Sequence, residues 1–451
     1  MERRVVITGL GVVTPVGVGR GPFWEAILAG RHGFAPVRSF DTSALAVHLG
    51  AEVGEDFRPE EHVRTLDPGE VGRASQLAIA AARLALEDAG IGAAAPPWGV
   101  PRPPRPTQRS AASIGVALSE VVGNGGGGTK TIAGAPPPER CGVAMGTTSG
   151  EPLEVERFDD LVVGDGLARL GPEFIRRYPC HVIAGHVAAE LGFGGPNAMI
   201  PTACAAGNYA IARAYELLRH GRADVVLAGG ADAFSRITYH GFARLGAIAP
   251  ELCRPFDRDR RGMIPGEGAA VLVLEPREAA LARGARIYAE VAGYGLSCDA
   301  HHMTAAHPEG RGAARAMARA LADAGVAPAE VSYVSAHGTG TPTNDRLEVL
   351  AFRRVFGAAA PRVPISSIKS MLGHTMGAAS AIEAAACALA VHTDRIPPTA
   401  HFSAPDSEPD GAAGLDFVPN EARDHRVTVA MNNAYAFGGN NASVLFRKHA
   451  A

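Results

Sequence analysis

The sequence carries almost no surplus of charge: 43 lysines and arginines against 46 aspartates and glutamates give a formal −3 over 451 residues. That balance speaks against nucleic acid as the main partner, since phosphate recognition draws on an excess of basic groups. Closely paired cysteines are missing too. The six cysteines stand far apart at 141, 180, 204, 253, 298 and 387, with no C-x-x-C. This excludes a dense disulfide framework and fits free thiols in a reducing compartment. No uncharged stretch reaches the length of a membrane span, because the Ala-rich run 375–391 is interrupted by Glu383. The start, Met1-Glu2-Arg3-Arg4 followed by Val5-Val6-Ile7, does not read as a secretory leader. Glycines, Thr14 and Pro15 break its apolar run too soon, and a strand entering a glycine turn is the better reading. A soluble, cytoplasmic protein is expected.

What is present fits a large buried core: 47% hydrophobic residues with only 20% charged. Strands are expected at 3–8, 141–146, 225–228 (closed by Gly229-Gly230), 270–274, 286–291, 331–335, 363–367, 427–431 and 443–446. Helices are expected at 23–29, 73–89, 209–218, 312–324 and 375–391. The alternation predicts layered α/β architecture. Two parts, 1–275 and 276–451, share the rhythm of strand, glycine turn, helix and strand, so an internal duplication is expected. Within the first part lies an excursion, 92–138, rich in Pro, Gly and Ala, with Pro101-Arg102-Pro103-Pro104 and Gly125 to Gly128. No Gly-Lys-Ser/Thr follows the glycines, so this reads as a mobile surface excursion rather than a phosphate cradle.

Four stretches carry chemistry. In Pro201-Thr202-Ala203-Cys204-Ala205-Ala206-Gly207-Asn208 a cysteine among small residues opens a helix, where partial positive charge favours thiolate. Val334-Ser335-Ala336-His337-Gly338-Thr339-Gly340-Thr341-Pro342 ends a strand in a histidine loop too small-chained to fill a core. Ser367-Ile368-Lys369-Ser370-Met371-Leu372-Gly373-His374 brings a lysine and a second histidine to another strand end. Ala434-Tyr435-Ala436-Phe437-Gly438-Gly439-Asn440-Asn441 forms a glycine turn between late strands. Loops at strand ends are where α/β folds place their chemistry.

Together, and in this order, these stretches resemble the β-ketoacyl–acyl carrier protein synthases of the thiolase superfamily. The likeness runs from Val5 to Phe446 and is nearest to the elongating type. The resemblance implies a duplicated thiolase-like fold, with mixed β-sheets and helices between and outside them. It also implies decarboxylative condensation of an acyl thioester with a malonyl unit on an acyl carrier protein, in fatty-acid or polyketide synthesis. Cys204 would hold the acyl chain as a thioester. His337 and His374 would stabilise the enolate left by loss of carbon dioxide. Lys369 would sit behind them, paired with Glu348. Backbone N–H groups of Cys204 and Phe437 would form the oxyanion hole, and Asp299 would move with the gating turn at Phe437 and Gly438. Thr339 and Thr341 would hold the carrier's phosphopantetheine, and Ser149 would close the acyl pocket at a subunit interface. No metal or resident cofactor is implied. The partners would be a carrier protein and either a second copy or a ketosynthase-like paralogue.

The chain departs from the family pattern at Tyr435, Ala436, Asn440, Arg261 and Pro265. Ala436, taking positive φ less cheaply than glycine, is expected to stiffen the gate, and a specialised polyketide or polyene pathway is expected. Rival readings are a non-condensing chain-length-factor subunit and a Cys–His thioester hydrolase. A thiolase would need a further cysteine after Cys387, and none occurs. A zinc site at Cys204 and the two histidines lacks paired short ligand spacing.

Overall fold

The computed structural model describes residues 3–92, 136–165, 173–406 and 412–449. Nearly all of the 92–138 stretch therefore lies outside the described residues. In chain order the main elements are β1 (Val5–Thr14), α1 (Arg20–Leu28), α2 (Arg73–Asp88), β2 (Cys141–Gly146), α3 (Pro152–Asp165), β3 (Asn197–Ile200), α4 (Ala206–Arg219), β4 (Val225–Asp232) and α5 (Arg236–Arg244). They continue with β5 (Gly268–Pro276), β6 (Ala289–Cys298), α6 (Arg311–Ala324), β7 (Tyr333–Ser335), α7 (Pro342–Phe356), β8 (Ile365–Ser366), α8 (Ala379–Thr393), β9 (Val429–Tyr435) and β10 (Asn440–Arg447).

Among the described residues one large sheet runs through both parts, in the order β8-β7-β9-β10-β6-β1-β5-β4-β2-β3. Its pairing repeats. In the first part β3, β2 and β4 are parallel, β4 is antiparallel to β5, and β5 is antiparallel to β1. In the second part β8, β7 and β9 are parallel, β9 is antiparallel to β10, and β10 is antiparallel to β6. The two arms join where Val5, Val6 and Ile7 of β1 pair with Val291, Glu290 and Ala289 of β6. Mixed sheets were expected; the arms are in fact one sheet, hinged at this short seam.

Helices fill the space between the arms and cover them outside. α8 packs against β9 on one side and against β5, β4 and α4 on the other. α2 covers β1 and β5, while α6 covers β6 and β10. The segment Met376–Thr393 has the length and hydropathy of a membrane span, yet 89% of it is buried inside the fold. This is the layered, thiolase-like α/β architecture.

Several strands run on where the glycines were read as their ends. β1 continues through Gly9 and Gly11 to Thr14, because these glycines let α2 approach. A Cβ on Gly9 would lie 2.1 Å from the Ala85 carbonyl oxygen, and one on Gly11 1.8 Å from that of Ala81. β4 likewise passes through Gly229-Gly230 to Asp232. The strand expected at 286–291 instead spans Ala289–Cys298. Glycine in β1 and β6 marks a close helix rather than a turn, while in β4 a Cβ on Gly229 would lie 1.9 Å from the Ala270 carbonyl oxygen of the neighbouring strand.

Candidate active site

The loops at one end of the parallel strands converge on a cavity of about 260 Å³, lined by Cys204, His337, His374, Tyr435 and Phe437 among others. Cys204 sits in the turn Ala203–Ala205 that leads into α4, and Ala203 takes φ +50 to make the bend. His337 follows β7, and His374 follows the single turn Lys369–Leu372. One ligand atom from each of Cys204, His337 and His374 lies within 4.8 Å of the other two, and all three residues are buried.

Hydrogen bonds fix the state of both rings. His374 Nδ1 accepts from the Met376 N–H at 3.2 Å. His337 Nδ1 faces the ammonium of Lys369 at 3.5 Å. A nitrogen that accepts from a donor carries no proton, so in each neutral ring the proton is on Nε2. Burial, and then the charge of Lys369, hold both histidines well below the usual imidazole range. Each ring therefore offers an Nε2–H donor. The same trio has the residue types of a zinc site, but the fit fails on donor chemistry: Nδ1 is spent on a donor and Nε2 carries hydrogen, so neither ring keeps a lone pair for a metal.

Lys369 is not paired with Glu348. Its Nζ donates to the His337 carbonyl oxygen at 2.7 Å and forms an ion pair with Glu383 on α8. Glu348, on α7, instead accepts the backbone N–H groups of His337 and Gly338, both at 2.8 Å. Its carboxyl, pushed up to about 8 by burial, shapes the histidine loop from beneath. Sequence reasoning noted Glu383 only as an interruption of an apolar run. A lone acid inside an otherwise apolar helix was the available signal, since such a charge must find a buried partner.

The thiol also differs from expectation. Burial pushes Cys204 up to about 12, with Lys369 acting downward and Asp232 and Glu383 upward. At rest it is a thiol: desolvation outweighs the helix terminus.

Asp299 is tied to the glycine turn. Its N–H donates to the Gly439 carbonyl, its carboxylate accepts from Asn441 Nδ2 at 3.0 Å, and the Gly438 N–H donates to the Met303 carbonyl. Phe437 is 42% exposed and packs on Phe242. Gly438 and Gly439 take φ +80 and +77, while Ala436 is extended at φ −132. Ala436 thus carries no strain in this conformation. Thr339 and Thr341 line the cavity and share a 2.8 Å hydroxyl contact. Ser149 is not on that lining: its N–H donates to Asp232 and its hydroxyl lies 3.4 Å from that of Thr238. Pro265 pairs with His374 as an isolated bridge, and the neighbouring Gly266 N–H and Ile264 carbonyl bond the His374 backbone.

The chain matches the family described as Beta-ketoacyl synthase, N-terminal domain, over residues 2–101 and 106–280, and the corresponding C-terminal domain over 288–403. The chain belongs to the β-ketoacyl synthase family. This synthase is 36% identical to the 3-oxoacyl-[acyl-carrier-protein] synthase 2 of Synechocystis, covering 99% of each chain. It is 37% identical to the enzyme of that name from Staphylococcus aureus, covering 100% of this chain and 99% of the other. Among solved structures it resembles the ishigamide ketosynthase/chain length factor, at 39% identity and TM-score 0.86, with both chains fully covered. A β-ketoacyl synthase from Burkholderia phymatum gives 34% and 0.82, covering 99% of this chain and 100% of that one. A type II polyketide ketosynthase, solved with its acyl-carrier protein and bound to a hexaketide, gives 30% and 0.82 over the full length of both. The synthase is a condensing enzyme of the acyltransferase type, and neither the non-condensing subunit nor the hydrolase is favoured.

Proposed function

We propose that the chain extends an acyl group on an acyl carrier protein by decarboxylative condensation through an acyl-Cys204 intermediate. One observation carries the reading: a thiol and two histidines locked as Nε2–H donors share one buried cavity. Cys204 sulfur attacks the carrier thioester, a carbon–sulfur bond forms, and the departing pantetheine thiol takes the proton the cysteine gives up. The malonyl thioester then enters and loses carbon dioxide. The two Nε2–H groups donate to its carbonyl oxygen as the enolate forms, with no proton to transfer and no charge to create beforehand. The enolate carbon attacks the acyl carbonyl, the sulfur of Cys204 leaves, and it regains a proton from water.

Backbone N–H groups of Cys204 and Phe437 would stabilise the acyl oxyanion. Each lies in a first helical turn, where N–H groups have no carbonyl of their own turn to bond. Thr339 and Thr341 would hold the carrier's phosphopantetheine, the one prosthetic group this chemistry needs, and it belongs to the carrier. Glu348 and Lys369 position His337, and Asp299 guides the Phe437–Gly438 gate.

The two parts read as duplicated halves meeting near residue 276. β3 ends the sheet with no further strand beyond it among the described residues, and Leu161 and Val163 of α3 are 44% and 87% exposed. An open edge and stranded apolar side chains support a subunit partner. The likeness to the ishigamide ketosynthase/chain length factor supports a ketosynthase-like paralogue as that partner; we further propose a cytoplasmic polyketide or polyene pathway, with Ser149 at the subunit interface. Intact-mass analysis with a panel of acyl-carrier proteins, followed by carbon dioxide release from malonyl carrier, tests the reading. An adduct that hydrolyses to free acid without carbon dioxide loss would replace it with a hydrolase.

A further inference from the structure

Asp232 closes β4 with 1% of its surface exposed, and four donors converge on it. Oδ1 accepts from the Thr147 hydroxyl at 2.8 Å and the Ser149 N–H at 3.0 Å. Oδ2 accepts from the Thr148 N–H at 2.7 Å and the Gly377 N–H at 2.6 Å. Three of these donors come from the turn after β2. The fourth comes from the segment that follows His374. Just before it, Met376 takes φ +52, and its N–H is the donor to His374 Nδ1. The packing leaves no slack: a Cβ on Gly377 would come within 2.5 Å of Thr147 C and Thr148 N, and 2.6 Å of Asp232 Oδ2.

Only a carboxylate satisfies this arrangement. An asparagine would keep one accepting oxygen and turn an NH₂ towards two donors, leaving N–H groups unpaired in a dry interior. The Gly377 segment is tied to Asp232 by one bond, and its displacement on losing that bond would carry the Met376 N–H away from His374.

Resting on the enolate-stabilising reading of His374, we propose that Asp232 is a positioning residue for the decarboxylation step. Through Gly377 and the Met376 N–H it holds His374 as an oriented Nε2–H donor. It touches neither substrate nor the reacting atoms.

The test uses the full-length protein with ¹⁵N-labelled histidine, the His374 signals being assigned by their loss in His374→Ala. In Asp232→Asn the His374 signals should move from a single Nε2–H tautomer to a mixture. Carbon dioxide release from malonyl carrier protein should fall on the order of 10- to 100-fold, the scale of a misplaced catalytic group, and acylation of Cys204 should fall less. Gly377→Ala pushes the same segment from the other side and should shift the same signals. A folded Asp232→Asn with parent His374 signals and parent carbon dioxide release overturns the proposal. If Asp232→Asn does not fold, parent signals in Gly377→Ala overturn it instead. A His374→Ala variant that releases carbon dioxide at the parent rate would remove the reading of His374 and the catalytic half of the proposal with it.

Discussion

Lys369 and Glu383 form an ion pair from which water is excluded, their side chains 1% and 2% exposed. Its ammonium also holds the His337 carbonyl oxygen, so the pair joins helix α8 to the catalytic loop. Removing the acid strands a cation in a medium that cannot solvate it. Glu383→Ala is therefore expected to lose about 3–5 kcal/mol of stability, read as a lowered urea midpoint. A loss below about 1 kcal/mol would mean that water reaches the lysine.

Cys204→Ala removes one sulfur that faces the cavity from a turn of small residues, and the expected cost is about 1 kcal/mol. The variant should fold and take up no acyl group. A stable adduct on the variant protein, seen by intact mass, would show that another residue is the nucleophile.

The histidines divide labour with the thiol. His337→Ala and His374→Ala are expected to acylate Cys204 yet fail to release carbon dioxide from malonyl carrier protein. Both rings are held neutral far below pH 6.5 by burial and by Lys369. Their neutral form does the work, so decarboxylation should stay level as pH falls from 8 to roughly 6. A rate that drops with a midpoint near ordinary histidine would show that burial and Lys369 do not hold the rings neutral.

One buried carboxyl should contribute to stability in the opposite sense to an ordinary salt-bridged acid. Burial pushes Glu151 up to about 7. A carboxyl whose value is higher folded than unfolded binds its proton more tightly in the folded state. Its contribution therefore rises as pH falls from above the folded value towards roughly 4. Between pH 8 and 5 this carboxyl should add stability as acid is added, and Glu151→Gln should remove that contribution. Urea midpoints that climb with pH equally in both proteins would contradict the assignment.

Much of the site was legible because its chemistry is written in short local stretches. Cys204, His337 and His374 each stand among glycines and alanines, where a reactive side chain has no packing reason to be. Their meeting within one cavity was not legible from spacing, since every element from α4 to β7 separates Cys204 from His337. The carboxylates were the least readable. Glu348 and Glu383 differ not in residue type but in which donor each faces, and that is set by how α7 and α8 pack. Asp232 left no trace, because its four partners come from two loops far apart in the chain. The glycines in β1 and β4 misled for a related reason: a missing side chain looks the same whether it allows a turn or admits neighbouring backbone, a helix at β1 and a strand at β4.

The seam between β1 and β6 bears on how the chain comes to be folded during synthesis. β1 is made before its partners, pairing with residues of β5 as late as Pro276 and with β6 beyond them. Its ten residues, all buried once folded, must therefore wait on the ribosome until β5 and β6 have been translated. The long apolar helix α8, which fills the space between the arms, emerges later still. Contacts so distant in sequence are slow to form, and the waiting segments expose hydrophobic surface. Efficient production of this protein is thus a matter of shielding nascent chains, and slowing translation without a holding chaperone should lower its soluble yield.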